Sequence, residues 1–185
     1  EFEGEHTGYP DYPYGGSTAS AKFVPGYDIG MKTVWDEKKF YGDPSIVVAV
    51  LDEGLCLTHP DLKANLWVNE GEIYGSNEDN DGNGYAGDMY GYDFIHGKGT
   101  ISWDSYGDTG HGTHCAGIIA AVNNNNEGIN SIAGGTPDAP GVKIMSCQVF
   151  SGNEASNTVD LARAIKYAAD NGAVVLQCSF GYTSG

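Results

Sequence analysis

Over residues 142–178 the chain reads strand, helix, strand, and that pattern confines it to few folds. Residues 142–150 read as one strand and 173–178, a short apolar run, as the next. Between them, 158–170 carries Leu161, Ile165 and Ala168 on one helical face. Asn157 is placed to cap the helix start, and Asn171-Gly172 to end it. Such a crossover is expected to be parallel and right-handed. A third run at 45–51, Ser-Ile-Val-Val-Ala-Val-Leu, follows Gly42-Asp43-Pro44. Its β-branched, unbroken apolar character is that of a strand buried on both faces. The expected class is α/β, with helices on a parallel sheet. The apolar strand at 173–178 is expected to be central in that sheet.

The rest of the chain organises around these runs. Residues 1–27 mix Pro, Gly and Tyr, as in Tyr9-Pro10-Asp11-Tyr12-Pro13, and read as an irregular N-terminal arm before a domain at 28–185. A short helix is predicted at 31–40 from Met31, Val34 and Trp35. A short strand is predicted at 90–95. A helix begins near His111, whose Gly112, Ala116, Gly117, Ala120 and Ala121 permit close approach to neighbours. Gly costs a helix about 1 kcal/mol against Ala, so two of them point to a packing reason.

Charge narrows the partners. With 25 acidic and 9 basic side chains the net charge is −16. Nucleic acid and anionic membrane surfaces are disfavoured, because both need clustered Lys and Arg. No apolar run approaches the ~20 residues of a membrane span. The acidic residues 1–5 do not read as a signal peptide, so an exported protein is expected to have had its signal segment removed upstream of this sequence. Cys56, Cys115, Cys147 and Cys178 form no CxxC pair, so a zinc ribbon is excluded. Cys147 and Cys178 sit in apolar runs and are expected to be buried thiols.

Asp52 closes the first buried strand, where open α/β sheets place their sites. His111 opens a helix. A carboxylate that fixes an imidazole tautomer, and an imidazole that moves a nucleophile's proton, are two members of a catalytic triad. His111 and His114 lie three apart beside Cys115, but no H-E-x-x-H pattern accompanies them, so zinc is not favoured. His114 is expected to be buried and hydrogen-bonded, and His59 to be structural.

The local motifs are more specific. Val48-Ala49-Val50-Leu51-Asp52-Glu53-Gly54, His59-Pro60-Asp61-Leu62, His111-Gly112-Thr113-His114-Cys115-Ala116-Gly117 and Ser179-Phe180-Gly181 closely resemble the subtilisin-like serine proteases, from about residue 28 to 181. The resemblance implies a three-layer, parallel-sheet subtilisin-like fold, incomplete in this chain. It implies Asp52 as triad acid and His111 as general base. It implies that Ser179, Phe180 and Gly181 pair with a polypeptide substrate's backbone by β-augmentation, with 150–154 as the opposite rim. It implies that Cys115 is a thiol beside the catalytic His, open to mercurials, and that the protein is exported.

Two departures stand out. Glu53 occupies a position where the family usually has a small residue; strand alternation is expected to point it away from Asp52, into solvent. The family's order is Asp, His, Ser, and the Ser-bearing helix start and the oxyanion-hole Asn are absent from this sequence. Thr113 and Ser179 belong to other motifs and are not nucleophiles. The chain alone is therefore expected to be inactive. A companion C-terminal segment of the same domain would carry the Ser, either as a separate chain made by nicking at 182–185 or as a missing continuation. The alternative is a non-catalytic, calcium-stabilised peptide-binding module. A third reading, a calcium-binding structural protein, predicts that His111→Ala changes nothing.

The Gly- and Asp-rich loop at 77–88 carries the other signal. Asp79, Asp81 and Asn83 alternate before Gly84, like the first half of an EF-hand loop. The Tyr85 carbonyl and Asp88 complete an expected structural Ca²⁺ site, in place of the EF-hand's final Glu. An Asx-rich turn without an ion is the alternative. A second site near Asp61 and Asn124 is left unassigned.

Overall fold

The computed structural model describes residues 4–6, 21–23 and 29–181. The Pro- and Tyr-rich stretch at 9–16 and the loop at 182–185 lie outside the described residues. The chain forms two compact units, Glu1–Phe40 and Tyr41–Gly185. In the first, β1 (Gly4–His6) pairs antiparallel with β2 (Ala21–Phe23), where the sequence suggested only irregular chain. Helix α1 (Met31–Lys38) follows. Its half-buried residues include Met31, Val34 and Trp35, the three that share a face in the sequence. It ends at Lys39, which takes a left-handed conformation, φ 52°.

The second unit is built on four parallel strands. In chain order its elements are β3 (Val47–Asp52), β4 (Gly91–Asp93), α2 (His111–Ala120), the two-residue strands β5 (Gly135–Thr136) and β6 (Ala139–Pro140), and β7 (Lys143–Gln148). The hairpin of β8 (Phe150–Ser151) and β9 (Glu154–Ala155), then α3 (Thr158–Asp170) and β10 (Ala173–Gln177), complete it. The sheet order is β10-β3-β7-β4. Strand β3 pairs with β7 without a break, from Val47 opposite Lys143 to Asp52 opposite Gln148.

Alternation along the central strands explains the three layers. Val48 and Val50 of β3 and Ile144 of β7 pack with Ala116, Ala120 and Ala121 on the α2 side. Ala49 and Leu51 of β3, with Met145 and Cys147 of β7, pack with Ala164, Tyr167 and Ala168 on the α3 side. Burying each of the larger aliphatic side chains stabilises the fold by about 1.5–3 kcal/mol. The small residues of α2 perform the packing their presence suggested, with Gly112, Ala116, Gly117 and Ala120 all buried.

Three expectations need correcting. The buried residues of α3 are Ala164, Tyr167 and Ala168, while Ile165 is 44% exposed. Tyr167 points inward, and its hydroxyl donates to the buried Asp88 carboxylate. Strand β10 is not central among the described residues but forms an edge, and Val174 and Val175 are 64% and 48% exposed. Cys178 lies past the end of β10 and is exposed, whereas Cys147 is buried as expected.

Candidate active site

Asp52 is the last residue of β3 and is 3% exposed. Its position is fixed by the sheet, since Val149 N donates to the Asp52 carbonyl at 2.9 Å. Its carboxylate accepts from Glu53 N at 2.8 Å. The imidazole of His111, first residue of α2, meets both carboxylate oxygens through Nδ1, at 3.0 and 2.8 Å. A carboxylate accepts only, so Nδ1 donates, and in the neutral tautomer that this contact selects, Nε2 presents a lone pair. The ring is 44% exposed. That arrangement can hold an imidazole in one tautomer, receive a proton at Nε2 and stabilise the imidazolium formed.

Close approach makes this geometry possible. The chain leaves β3 through Gly54 at φ +96°, where a Cβ would fall 1.9 Å from the Ser102 carbonyl oxygen. A Cβ on Gly112 would lie 2.3 Å from the Gly54 carbonyl oxygen and 3.0 Å from Asp52 Cβ. Thr113 Oγ1 accepts from Cys56 N at 3.0 Å and secures the same join. Substituting Gly112→Ala will therefore push the start of α2 off β3. We expect about 1–3 kcal/mol of destabilisation, read by chemical denaturation, and a weakened Asp52–His111 contact.

Glu53 does not project freely into solvent as alternation suggested. It is half-buried, and its carboxylate accepts from Thr109 N at 2.9 Å, from the Thr109 hydroxyl at 3.1 Å and from His111 N at 3.2 Å. The strand ends at Asp52, so alternation no longer governs the next side chain. His114 is likewise exposed, not buried. His59 accepts from Asp61 N through Nδ1 at 3.2 Å and holds a turn.

Cys115 Sγ lies 3.8 Å from both ring nitrogens of His111. Burial, then the charge of Asp52, pushes its thiol above the usual range, while a Ser179 hydrogen bond opposes the rise. Ligand atoms of Asp52, His111 and Cys115 lie within 4.8 Å of one another. Burial and the Asp52 charge also raise the Cys178 thiol, and burial raises Cys147 strongly.

Ser179, Phe180 and Gly181 follow β10, with Ser179 and Gly181 exposed and Phe180 half-buried. The Phe180 ring meets Phe150 edge-on, with centroids 5.1 Å apart. That ring contact brings the segment after β10 against the β8–β9 hairpin. Asp108, which the sequence reading passed over, ties that hairpin to the loop before His111. It accepts from Gly152 N and, at 2.8 Å, from Ser105 N.

The loop residues Asp79, Asp81, Asn83, Tyr85 and Asp88 occupy different roles. Asp79 accepts from the amides of Gly82, Asn83 and Gly84 at 2.8–3.1 Å and shapes the turn. The Tyr85 ring packs on Tyr92, Phe94 and Tyr167, and its N–H donates to Asn83. Asp81 and Asp88 converge with Glu72, their oxygens within 4.8 Å of one another. Glu72 was not legible as a member; it is 3% exposed and accepts from the amides of Asn80 and Gly87 at 2.6 and 3.0 Å.

Asn69 Nδ2 donates to Asp81 and Asp88, and Asn83 Nδ2 does the same. Burial pushes the Asp88 carboxyl up against hydrogen bonds from Tyr167, Asn83 and Asn69 that lower it. The Tyr167 hydroxyl donates to Asp88 at 2.7 Å. Asp81, though partly desolvated, is held below the usual range by hydrogen bonds from Asn69 and Asn83. Among the described residues, no Lys, Arg or His forms an ion pair with Glu72, Asp81 or Asp88. Near the unassigned second position, Asp61 accepts from Asn125 Nδ2 at 2.7 Å and Ile129 N at 3.0 Å.

Comparison with known proteins places this geometry among relatives. The model of the Subtilase family matches residues 43–185. Halolysin of Haloferax mediterranei is 33% identical over 153 residues, covering 83% of this chain and 24% of that protein. Thermitase of Thermoactinomyces vulgaris is 35% identical over 138 residues, covering 75% of this chain and 38% of that protein. Among solved structures, a protease from Pseudoalteromonas arctica matches with a TM-score of 0.53 and 30% identity, covering 82% of this chain and 45% of that one. A lanthipeptide protease matches with a TM-score of 0.51 and 27% identity, covering 82% and 33%. The chain thus spans about a quarter of halolysin's length and under half of the other three.

Proposed function

The chain belongs to the subtilase family, and from that premise we propose that it supplies the acid and base of a serine endopeptidase. The observation that carries the proposal is the contact of His111 Nδ1 with both oxygens of buried Asp52, which leaves Nε2 to take a proton. A Ser hydroxyl from outside these 185 residues gives its proton to Nε2 as its oxygen attacks the scissile carbonyl. Asp52 stabilises the resulting imidazolium. His111 returns the proton to the leaving amine, and water then hydrolyses the acyl-enzyme with His111 again as base.

The substrate is a polypeptide laid along Ser179, Phe180 and Gly181. A companion segment bearing the Ser pairs beside β10. The exposed Val174 and Val175, together with the exposed His114 and Ile118 of α2, are the surfaces it would cover. The oxygen-only donor set of Glu72, Asp81 and Asp88 fits a hard cation. In this reading they hold a structural Ca²⁺ with Asp79, Asn83 and Tyr85 shaping the loop. The ion supplies charge neutralisation there and no step of the reaction. An exported protein would meet the calcium such a loop requires.

The test is labelling of the full-length protein with a fluorophosphonate probe. We expect one labelled Ser, outside residues 1–185, with labelling abolished by His111→Ala. Absence of any label would favour the non-catalytic peptide-binding module instead.

A further inference from the structure

We infer that Glu53 is a positioning residue for His111, gripping the backbone at the start of α2 while Asp52 grips the ring. This rests on the reading of His111 as the base. The observation is a carboxylate doing, from far upstream, what a helix cap ordinarily does. The N-cap of α2 is Gly110, in a left-handed conformation and with no side-chain cap, and the helix has no acidic residue in its first turn. Its first amides would lack partners. Glu53 Oε2 accepts one of them, His111 N, at 3.2 Å, and also takes the amide and hydroxyl of Thr109, at 2.9 and 3.1 Å, just before the N-cap. A negative charge there also opposes the partial positive charge of the helix start.

Three consecutive residues therefore hold one helix end. Asp52 meets the His111 ring, Glu53 the His111 amide, and the Gly54 carbonyl packs against Gly112. One contact would leave the helix free to pivot about it. Contacts to ring, backbone and helix flank together fix both the height of His111 and its rotation about the helix axis. Glu53 directly follows the last residue of β3, so its hold on the His111 amide is anchored next to the central sheet. Misplacement by about 1 Å at a reacting group can cost about 100-fold in rate.

The experiment compares wild type, Glu53→Ala and Glu53→Gln in the full-length protein. It reads kcat and KM separately, and the low-field proton resonance of the Asp52–His111 hydrogen bond. Glu53→Ala is expected to lower kcat about 10- to 100-fold, with KM within about twofold, and to broaden or remove that resonance. Glu53→Gln keeps an acceptor oxygen and should recover most of both signals. A Glu53→Ala protein with unchanged kcat and a sharp resonance would overturn the inference. So would equal losses in both variants that track only a fall in melting temperature. If the wild type takes no fluorophosphonate label, the protease reading fails. The resonance would still decide whether Glu53 positions His111.

Discussion

Replacing His111 with Ala, or Asp52 with Asn, in the full-length protein is expected to abolish useful turnover while leaving the fold intact. In subtilisin, the family's namesake, losing the His costs about 2 × 10⁶ in kcat and losing the Asp about 3 × 10⁴; those values set the scale here and are not read from this chain. The order follows from the geometry. Without His111 the imidazole that Asp52 holds in place to take the attacking proton is gone. Without the charge of Asp52 the ring remains, but an Asn amide at the same place can donate to Nδ1 and hold the wrong tautomer, which in a serine protease costs about 10⁴.

His111 is 44% exposed, so its truncation removes little core packing. Asp52 is buried, and Asn preserves its volume. Steady-state kinetics on a peptide substrate, with circular dichroism as the control for folding, makes the measurement. Equal activity in wild type and His111→Ala would remove the triad from the account and return the chain to a structural role.

Much of this site was legible because sequence and geometry share a cause. Asp52 had to lie at the carboxyl end of a strand buried on both faces, and His111 had to begin a helix rich in small residues. Both requirements are written in short local runs. What was not legible depended on where regular structure stops. Alternation predicts side-chain direction only while the strand continues, and Glu53 is the first residue beyond it.

Glu72 lies outside the alternating Asx pattern and is recruited only when the loop folds back on it. The inward face of α3 runs through Ala164, Tyr167 and Ala168, and the Tyr167 hydroxyl meets Asp88, a partner 79 residues away that no helical pattern announces. The exposure of His114, Val174 and Val175 has yet another origin. It follows from the edge position of β10 and the outward face of α2 in the assembled sheet, which no local pattern encodes.

On the proposal that the loop at 77–88 holds Ca²⁺, adding a chelator to the full-length protein is expected to lower its melting temperature by several degrees. Glu72, Asp81 and Asp88 bring three carboxylates within 4.8 Å, and two of those residues are buried. Like charges this close repel, and burial strengthens the effect. The loop answers in part with amide donors from Asn69 and Asn83 and the Tyr167 hydroxyl. None of these carries charge, so a divalent cation has the most to gain.

At a free concentration 100 times its dissociation constant, a bound ligand stabilises by about 2.7 kcal/mol. For a protein of about 150–250 residues that corresponds to roughly 5–11 °C in melting temperature, and for a longer full-length protein to proportionately less. Calorimetry with calcium and with a chelator gives the shift directly. Glu72→Gln tests the assignment further. It keeps an acceptor for the loop amides but removes one charge, so the calcium-dependent part of the shift should shrink. The chelated protein should lose little, because one source of repulsion has gone. Identical melting with calcium and with chelator would leave the loop an ion-free Asx turn, with Asp79 organising it through the amides of Gly82, Asn83 and Gly84 alone.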